Sequence, residues 1–153
     1  AESEIVEIKQ VWEAIKRQER LDKGASQTLD DIPLALPALN RAVKLQKRAA
    51  SVGFDWPDVQ PVVDKINEEL IELDIEIKGG DRDRMADELG DLLFSCVNLA
   101  RYLKLDPEVS MRAANEKFKR RFESMELLAG EKKIEDHSAD QLESLWRKVK
   151  QSE

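Results

Sequence analysis

The sequence predicts an all-α protein built around one core. Charged residues make up 37% of its 153 residues, aromatic residues make up 5%, and there are only six glycines and five prolines. This balance favours helices over a β-sandwich or a β-barrel. The length allows one domain with a real core, but not two comfortable ones. We therefore expect a single domain over residues 1–153, with an N-terminal helix and loop over 1–30 and the main core over 37–150.

Two helices are predicted before the centre of the chain. The first spans residues 4–21, where apolar side chains recur at helical spacing: Ile5, Ile8, Val11, Trp12 and Ile15. A polar loop over 22–37 separates it from the second helix, which spans 37–50 and begins at a proline that suits a first turn. Four cations on the second helix could form a solvated face, pair with acidic residues elsewhere or contact a phosphate: Arg41, Lys44, Lys47 and Arg48. The sequence leaves these three interpretations open.

After a break over residues 53–57, the chain is predicted to form a helical hairpin. Gly79 and Gly80 end its first helix, and Asp81 or Asp83 can cap the second. Each helix has an arc of apolar residues that we expect to form the core. On the first helix these residues are Val62, Val63, Ile66, Leu70, Leu73 and Ile77. On the second they are Met85, Leu89, Leu92, Leu93, Cys96, Leu99 and Ala100. Cys96 is therefore expected to be a buried, reduced thiol.

Two pairs of carboxylates lie beside these apolar arcs. Glu69 and Glu72 are three residues apart, as are Glu88 and Asp91, so each pair shares a helix face. When the helices pack as a hairpin, the four carboxylates can converge at the edge of the core, where like charges repel and need protonation or a cation. All-oxygen ligands with open positions suit Mg²⁺ or Mn²⁺. A solvated acidic face on an acidic protein remains the alternative.

A further helix is predicted over residues 106–128. Its buried side is expected to carry Val109, Ala113, Ala114, Phe118, Phe122, Met125 and Leu128. Lys117 and Arg121 are four residues apart on this helix, so their side chains project together. Such a pair of cations would suit a polyphosphate tail. A basic surface face is the alternative.

The chain then continues into a predicted polar loop over 130–138 and a last helix over 139–150. His137 lies in the loop without a Cys or His companion, and we assign it no metal or acid–base role. Trp146 lies on the last helix among residues at apolar helical spacing, which favours a core position over stacking on a ligand.

Charge and motif content exclude several classes of function. The net charge is −7, so binding of nucleic acid or of an anionic membrane through the whole surface is not expected. The sequence has no apolar run as long as a membrane span and no signal peptide, which predicts a soluble, cytoplasmic protein. No P-loop, GxGxxG motif, Ser/His/Asp set or Cys/His set is present, which excludes P-loop enzymes and nucleophilic hydrolases.

Three segments together resemble a known family. The first consists of Glu69-x-x-Glu72 and Glu88-x-x-Asp91, which are separated by fifteen residues. The second is LPALNRAVKLQKRAA at 36–50 with VGFDW at 52–56, and the third is NEKFKRRF at 115–122. In this order they are similar to the all-α nucleoside triphosphate pyrophosphohydrolases and, among these, to the MazG proteins. Many MazG proteins carry two such domains in tandem, and this chain resembles the C-terminal one.

The resemblance implies a four-helix MazG-like core with additional N- and C-terminal helices, assembled as a homodimer or a higher homo-oligomer. It implies Mg²⁺-dependent hydrolysis of NTPs or dNTPs between the α- and β-phosphates, with Mn²⁺ able to substitute. Residues 37–150 would then be the catalytic core. A non-catalytic helical module that binds nucleotides or another protein is the alternative.

Residue roles follow from the same resemblance. By motif match, the Mg²⁺ ligands would be Glu69, Glu72, Glu88 and Asp91. A separate hypothesis, which does not come from the resemblance, is that Glu68 or Glu69 positions or deprotonates the attacking water, since the chain offers no better base nearby. Substrate contacts would come from Lys65, Asn67, Arg84, Lys117, Arg121 and Trp146.

Overall fold

A computed structural model describes residues 2–24 and 27–153, without the side chains of residues 2–5 and 9. The α-helices are α1 Glu2–Asp22, α2 Ala38–Ala50, α3 Val59–Gly79, α4 Arg82–Tyr102, α5 Pro107–Ala129 and α6 Ala139–Gln151. One short 3₁₀ turn, Ile134–Asp136, lies in the predicted loop between α5 and α6. The described residues contain no β-strand, so the all-α prediction is confirmed.

The chain divides into two compact units, residues 1–107 and residues 108–153. We call them the first and the second unit. The prediction of a single domain over 1–153 stays a prediction. Residue 1, residues 25–26 and the side chain of Ile5, all parts of the predicted N-terminal segment, lie outside the described residues. None of the helices in the described part is long and apolar enough to cross a membrane.

Helix ends in the first unit follow local capping signals. The Asp58 side chain accepts a hydrogen bond from the Gln60 amide and begins α3. Gly80 ends α3 with a left-handed φ of 77°, a conformation that costs glycine little. Asp81 caps α4, as predicted. Pro37 is the residue before α2 rather than part of its first turn.

The core of the first unit lies where α3 and α4 pack as a hairpin and α2 packs on α4. Val62 of α3 is only 1% exposed, and Val97 of α4 is buried with it. Gln46 of α2 is also buried, and its amide donates a hydrogen bond of 2.9 Å to the Phe94 carbonyl of α4. This hydrogen bond fixes the position of α2 along α4.

An ion pair fixes the loop before α3 to the end of α4. The Arg101 guanidinium donates two hydrogen bonds to Asp55, of 3.0 and 2.5 Å. The Tyr102 hydroxyl lies between the Asp55 carboxylate and the Trp56 carbonyl. The hydrogen bond from Arg101 holds the pKa of Asp55 below its usual value, so the carboxylate is ionised at neutral pH.

The apolar arcs of α3 and α4 are more exposed than predicted. Leu70 and Ile77 of α3 are about half exposed, as are Leu89 and Leu93 of α4. Cys96 is exposed too, so the expectation of a buried thiol is wrong for this chain. The buried positions of the two helices are instead Val62 and Glu69 of α3 and Val97 of α4. We call the half-exposed apolar residues the outward strip of α3 and α4.

Exposed apolar residues also occur on α1 and α5. Trp12 of α1, which we expected in the core or at an interface, is 59% exposed in this chain, so it is not a core residue here, and an interface position stays a prediction. Val109 and Phe118 of α5, predicted on its buried side, are exposed. The buried residues of the second unit are Met125 of α5 and Val149 of α6. A Ser138–Gln141 capping box begins α6.

Candidate functional site

Three carboxylates of the α3–α4 hairpin meet at one point. Glu69, Glu88 and Asp91 each offer an oxygen, and these oxygens lie within 4.8 Å of one another. The hairpin turn at Gly80 brings the two helices side by side, and the three-residue spacing puts Glu88 and Asp91 on one face of α4. This group, which we call the carboxylate cluster, can hold a divalent metal ion.

Burial makes the carboxylate cluster unusual among acidic groups. Glu69 is only 4% exposed. One side-chain oxygen of Glu69 and one of Glu88 are buried and, within the described residues, have no hydrogen-bond partner. A buried acceptor without a partner is unfavourable, because it has lost its water. These two oxygens are therefore suited to a cation, and carboxylate oxygens are the ligands of hard divalent ions.

Electrostatic repulsion within the cluster is visible at Glu88. Burial raises the pKa of Glu88, and the charges of Glu72, Glu69 and Asp91 raise it further. Of these three charges, that of Glu72 has the largest effect on the pKa of Glu88. The structure thus brings Glu72 to the edge of the cluster, beside the three carboxylates that converge. A divalent ion would relieve this repulsion.

Lys65 is the nearest positive charge recorded at the cluster. Its ammonium lies 2.6 Å from a Glu69 oxygen and 3.2 Å from a Glu68 oxygen, one helical turn away on α3. These hydrogen bonds, led by the one to Glu69, raise the pKa of Lys65 above its usual value. Lys65 therefore supplies part of the positive charge that buried Glu69 needs, while the other Glu69 oxygen stays free for a further cation.

The other predicted substrate residues of the first unit lie on its surface. Arg84 is 3.7 Å from Glu76 and 3.8 Å from Asp81, across the turn between α3 and α4. Asn67 is exposed on α3. Neither position is buried, so both side chains are accessible to a ligand.

The remaining predicted residues belong to the second unit. Arg121 of α5 donates hydrogen bonds of 2.9 and 2.5 Å to the side chain of Glu153. The pKa of Glu153 is lowered by this hydrogen bond and also by the charges of Arg120 and Lys117. Trp146 of α6 packs against Phe118, with 5.6 Å between ring centroids. Arg121 thus already binds an anionic group, and the charge of Lys117 adds to the attraction.

Two contacts were missed by the sequence analysis for different reasons. The pairing of Lys65 with Glu68 and Glu69 has a local signal, since residues three and four apart on a helix meet. The pairing of Arg121 with Glu153 joins residues 32 positions apart. No spacing rule within one helix could have predicted it.

Comparison with known proteins identifies similar sequences over most of the chain. Residues 58–125, which contain α3, α4 and most of α5, match the MazG nucleotide pyrophosphohydrolase domain. The chain is 46% identical over 146 residues to a nucleoside triphosphate pyrophosphohydrolase of Escherichia coli K12, which covers 93% of this chain and 56% of that protein. It is 43% identical over 141 residues to a Thermotoga maritima protein named nucleoside triphosphate pyrophosphohydrolase/pyrophosphatase MazG, covering 91% of this chain and 54% of that protein.

A third relative is longer. The Bacillus subtilis protein YabN, which is named as uncharacterized, is 41% identical over 145 residues, covering 93% of this chain and 29% of that protein. The chain thus spans about half the length of the first two relatives and less than a third of the other. The matched domain contains all three carboxylates that converge on the α3–α4 hairpin. The chain belongs to the MazG family.

Proposed function

We propose that this chain hydrolyses nucleoside triphosphates between the α- and β-phosphates, and releases a nucleoside monophosphate and pyrophosphate. The observation that carries the proposal is the buried carboxylate cluster, which lies in the part of the chain that matches the MazG domain. The two relatives named as nucleoside triphosphate pyrophosphohydrolases support the substrate class. A cytoplasmic location remains a prediction from sequence.

The metal in this proposal is Mg²⁺, with Mn²⁺ as a substitute, held by Glu69, Glu72, Glu88 and Asp91. The ion would neutralise phosphate charge and lower the pKa of a bound water. The support is chemical: oxygen ligands only, two of them buried without a hydrogen-bond partner in the described residues.

Glu68 and Glu69 are the proposed partners of the attacking water. Both carboxylates contact Lys65 through one oxygen each. The second oxygen of Glu68 can accept a hydrogen bond from water, and the Glu69 oxygen that faces Lys65 can do so when the ammonium moves away. Glu68 is about half exposed, so it can pass a proton to solvent. When a metal ion provides the positive charge that Glu69 needs, the Lys65 ammonium can turn to a substrate phosphate.

The proposed substrate contacts in the second unit are Lys117 and Arg121 for phosphates and Trp146 for the nucleoside. Support comes from Glu153, whose carboxylate is bound by Arg121 through two hydrogen bonds to one oxygen. A phosphate oxygen offers the same acceptor chemistry with more negative charge. Asn67 and Arg84 are proposed as further polar contacts.

We also propose that the chain assembles as a homodimer through the outward strip of α3 and α4. Leu70, Ile77, Leu89 and Leu93 are about half exposed on the same hairpin. Several exposed apolar residues on one helical hairpin are typical of an interface, and a two-fold dimer would cover them with the same strip of a second copy. Leu93→Asp should convert a dimer to a monomer in analytical ultracentrifugation, whereas Leu127→Asp, at a more exposed apolar site on α5, should leave the dimer intact. A monomeric unmodified chain would contradict the dimer.

The catalytic proposal is tested by two aspartate variants on α4. Asp91→Ala removes an oxygen of the carboxylate cluster, while Asp87→Ala removes an exposed carboxylate one turn earlier. With Mg²⁺ and ATP, we expect turnover to fall on the order of 100-fold or more in Asp91→Ala and to change little in Asp87→Ala. Circular dichroism is the check that both variants remain helical.

The outcomes separate the proposed enzyme from its alternative. Near-normal turnover in folded Asp91→Ala would remove the carboxylate cluster from the mechanism. If the unmodified chain turns over no NTP or dNTP with Mg²⁺ present, the non-catalytic nucleotide-binding or interaction module becomes the better interpretation.

A further inference from the structure

A cavity of about 560 Å³ lies in the first unit, between α2 and the segment that follows α4. Its lining combines cationic and apolar side chains: Leu36, Asn40, Val43, Lys44, Lys47, Arg101, Lys104, Leu105, Asp106 and Pro107. None of the residues proposed above for metal or substrate is among them. We propose that this cavity is a second ligand site, which binds a small organic phosphate.

The charge of the lining is the first support. Lys44, Lys47 and Lys104 surround the cavity, and in the described part of the chain none of the three makes an ion pair. The protein as a whole has a net charge of −7, so this concentration of positive charge runs against its composition. Three ammonium groups around one cavity attract an anion, whose charge would balance theirs.

Arg101 has a different role in the cavity. Its guanidinium already donates two hydrogen bonds to Asp55 and one to Asn98. It therefore forms a fixed wall, while the three lysines are the groups that can move onto a ligand. Asp106 is the single carboxylate of the lining, and it has an interaction of its own.

The backbone at Lys104 is the second support. Lys104 has a left-handed φ of 58°, just after the end of α4. There the Leu105 amide donates a hydrogen bond of 2.9 Å to the Ala100 carbonyl, which is the Schellman pattern of a helix end. Glycine is the usual residue at this position, because a side chain is unfavourable there. A lysine in its place gives up some stability and adds an ammonium group to the cavity wall.

The apolar part of the lining and the cavity volume indicate what the ligand carries besides phosphate. Leu36, Val43, Leu105 and Pro107 offer a surface for a ring or a hydrocarbon group. The volume lies within the range of small-molecule sites, about 300–1,000 Å³. The lysines would then bind the phosphate and the apolar residues the organic group.

The test uses phenyl phosphate, which combines one phosphate with one apolar ring, and phenol as its uncharged counterpart. The full chain, isotope-labelled for NMR and kept in EDTA, is titrated with each probe. We expect phenyl phosphate to cause saturable amide shifts around Asn40, Val43 and Leu105, and phenol to cause much weaker ones. Shifts confined to α5 and α6 would overturn the proposal, as would equal binding of phenol.

Variants connect the binding to the lysines. Lys44→Gln with Lys47→Gln should weaken phenyl phosphate binding about tenfold or more, since two phosphate contacts are lost. The matched control, Lys148→Gln with Lys150→Gln on α6, removes the same charge elsewhere and should change affinity less than about twofold. Equal losses in the two double variants would show a general charge effect and overturn the site. Lys104→Gly should also weaken binding of phenyl phosphate, while its melting temperature equals or exceeds that of the unmodified chain. An unchanged affinity would show that Lys104 is not part of the site.

Discussion

Replacing Asp55 should reveal how much the ion pair at the end of α4 stabilises the fold. Asp55→Asn keeps the size of the side chain and removes its charge. Arg101 then loses a bidentate carboxylate partner, and Tyr102 loses an acceptor. The loop that leads into α3 is no longer fixed to the end of α4 by a charged contact.

The expected loss follows from the burial of the two partners. A hydrogen bond to a charged group contributes about 1.5–3 kcal/mol, and two of them join Asp55 to Arg101. The Arg101 side chain is 13% exposed and that of Asp55 31%, so solvent screens part of the interaction. The asparagine carbonyl can also keep one hydrogen bond. We therefore expect the free energy of unfolding to fall by about 2 kcal/mol.

The loss should depend on pH with a definite sign. The pKa of Asp55 is lowered in the folded chain, chiefly by the hydrogen bond from Arg101. Its contribution is therefore fully present above the unfolded-state pKa, about 3.9, and is lost as the pH falls through the folded-state value. The difference between the unmodified chain and Asp55→Asn should stay constant near neutral pH and shrink below about pH 4.

Urea unfolding followed by circular dichroism, at one protein concentration, measures this difference. The matched control is Asp74→Asn, which breaks an ion pair with Lys78 on the surface of α3. The side chains there are 57% and 74% exposed, so the loss should be below about 0.5 kcal/mol. Equal losses in the two variants, or a loss at Asp55 that does not change in acid, would refute the reasoning.

Three further predictions concern single positions in the first unit. In EDTA at neutral pH, Glu88→Gln should raise the melting temperature, because burial and neighbouring carboxylates raise the pKa of Glu88. The stability of the unmodified chain falls as the pH rises towards that pKa, so the gain from the variant should vanish below about pH 4. No gain at neutral pH would contradict the repulsion between the carboxylates. Val62→Ala should lower the free energy of unfolding, measured in urea, by about 2 kcal/mol. The control Val59→Ala, at a more exposed position, should lower it by less than about 0.5 kcal/mol. Similar losses in the two variants would show that Val62 is not in the core. Lys104→Gly should raise the free energy of unfolding by about 0.5–1 kcal/mol in the same assay, since glycine adopts the left-handed backbone of that residue freely. A lower free energy of unfolding would show that the lysine side chain stabilises the helix end.

The helices were predictable because their signals are local. Asp81 accepts hydrogen bonds at the start of α4, and Gly80 adopts the left-handed backbone that ends α3. Both effects depend on neighbouring residues only, so they can be inferred from the sequence. The contact between Asp55 and Arg101 joins residues 46 positions apart, which no local pattern predicts.

The carboxylate cluster was predictable in part. Spacing along α3 and α4 indicated that Glu69, Glu88 and Asp91 could converge. The depth of Glu69 was not predicted, because the apolar arc of α3 was assumed to face the interior of its own chain. Leu70 of that arc is exposed, while Glu69 beside it is buried. Sequence periodicity identifies an apolar face, but it does not indicate whether the same chain or another covers it.

The most direct test of the central proposal is phosphorus NMR of ATP incubated with the full chain and Mg²⁺. Hydrolysis at the α–β bond predicts the signals of AMP and pyrophosphate, and it predicts that excess EDTA stops their growth. The signals of ADP and inorganic phosphate would contradict the proposed bond of cleavage. Turnover that continues unchanged in EDTA would contradict a divalent metal at the carboxylate cluster.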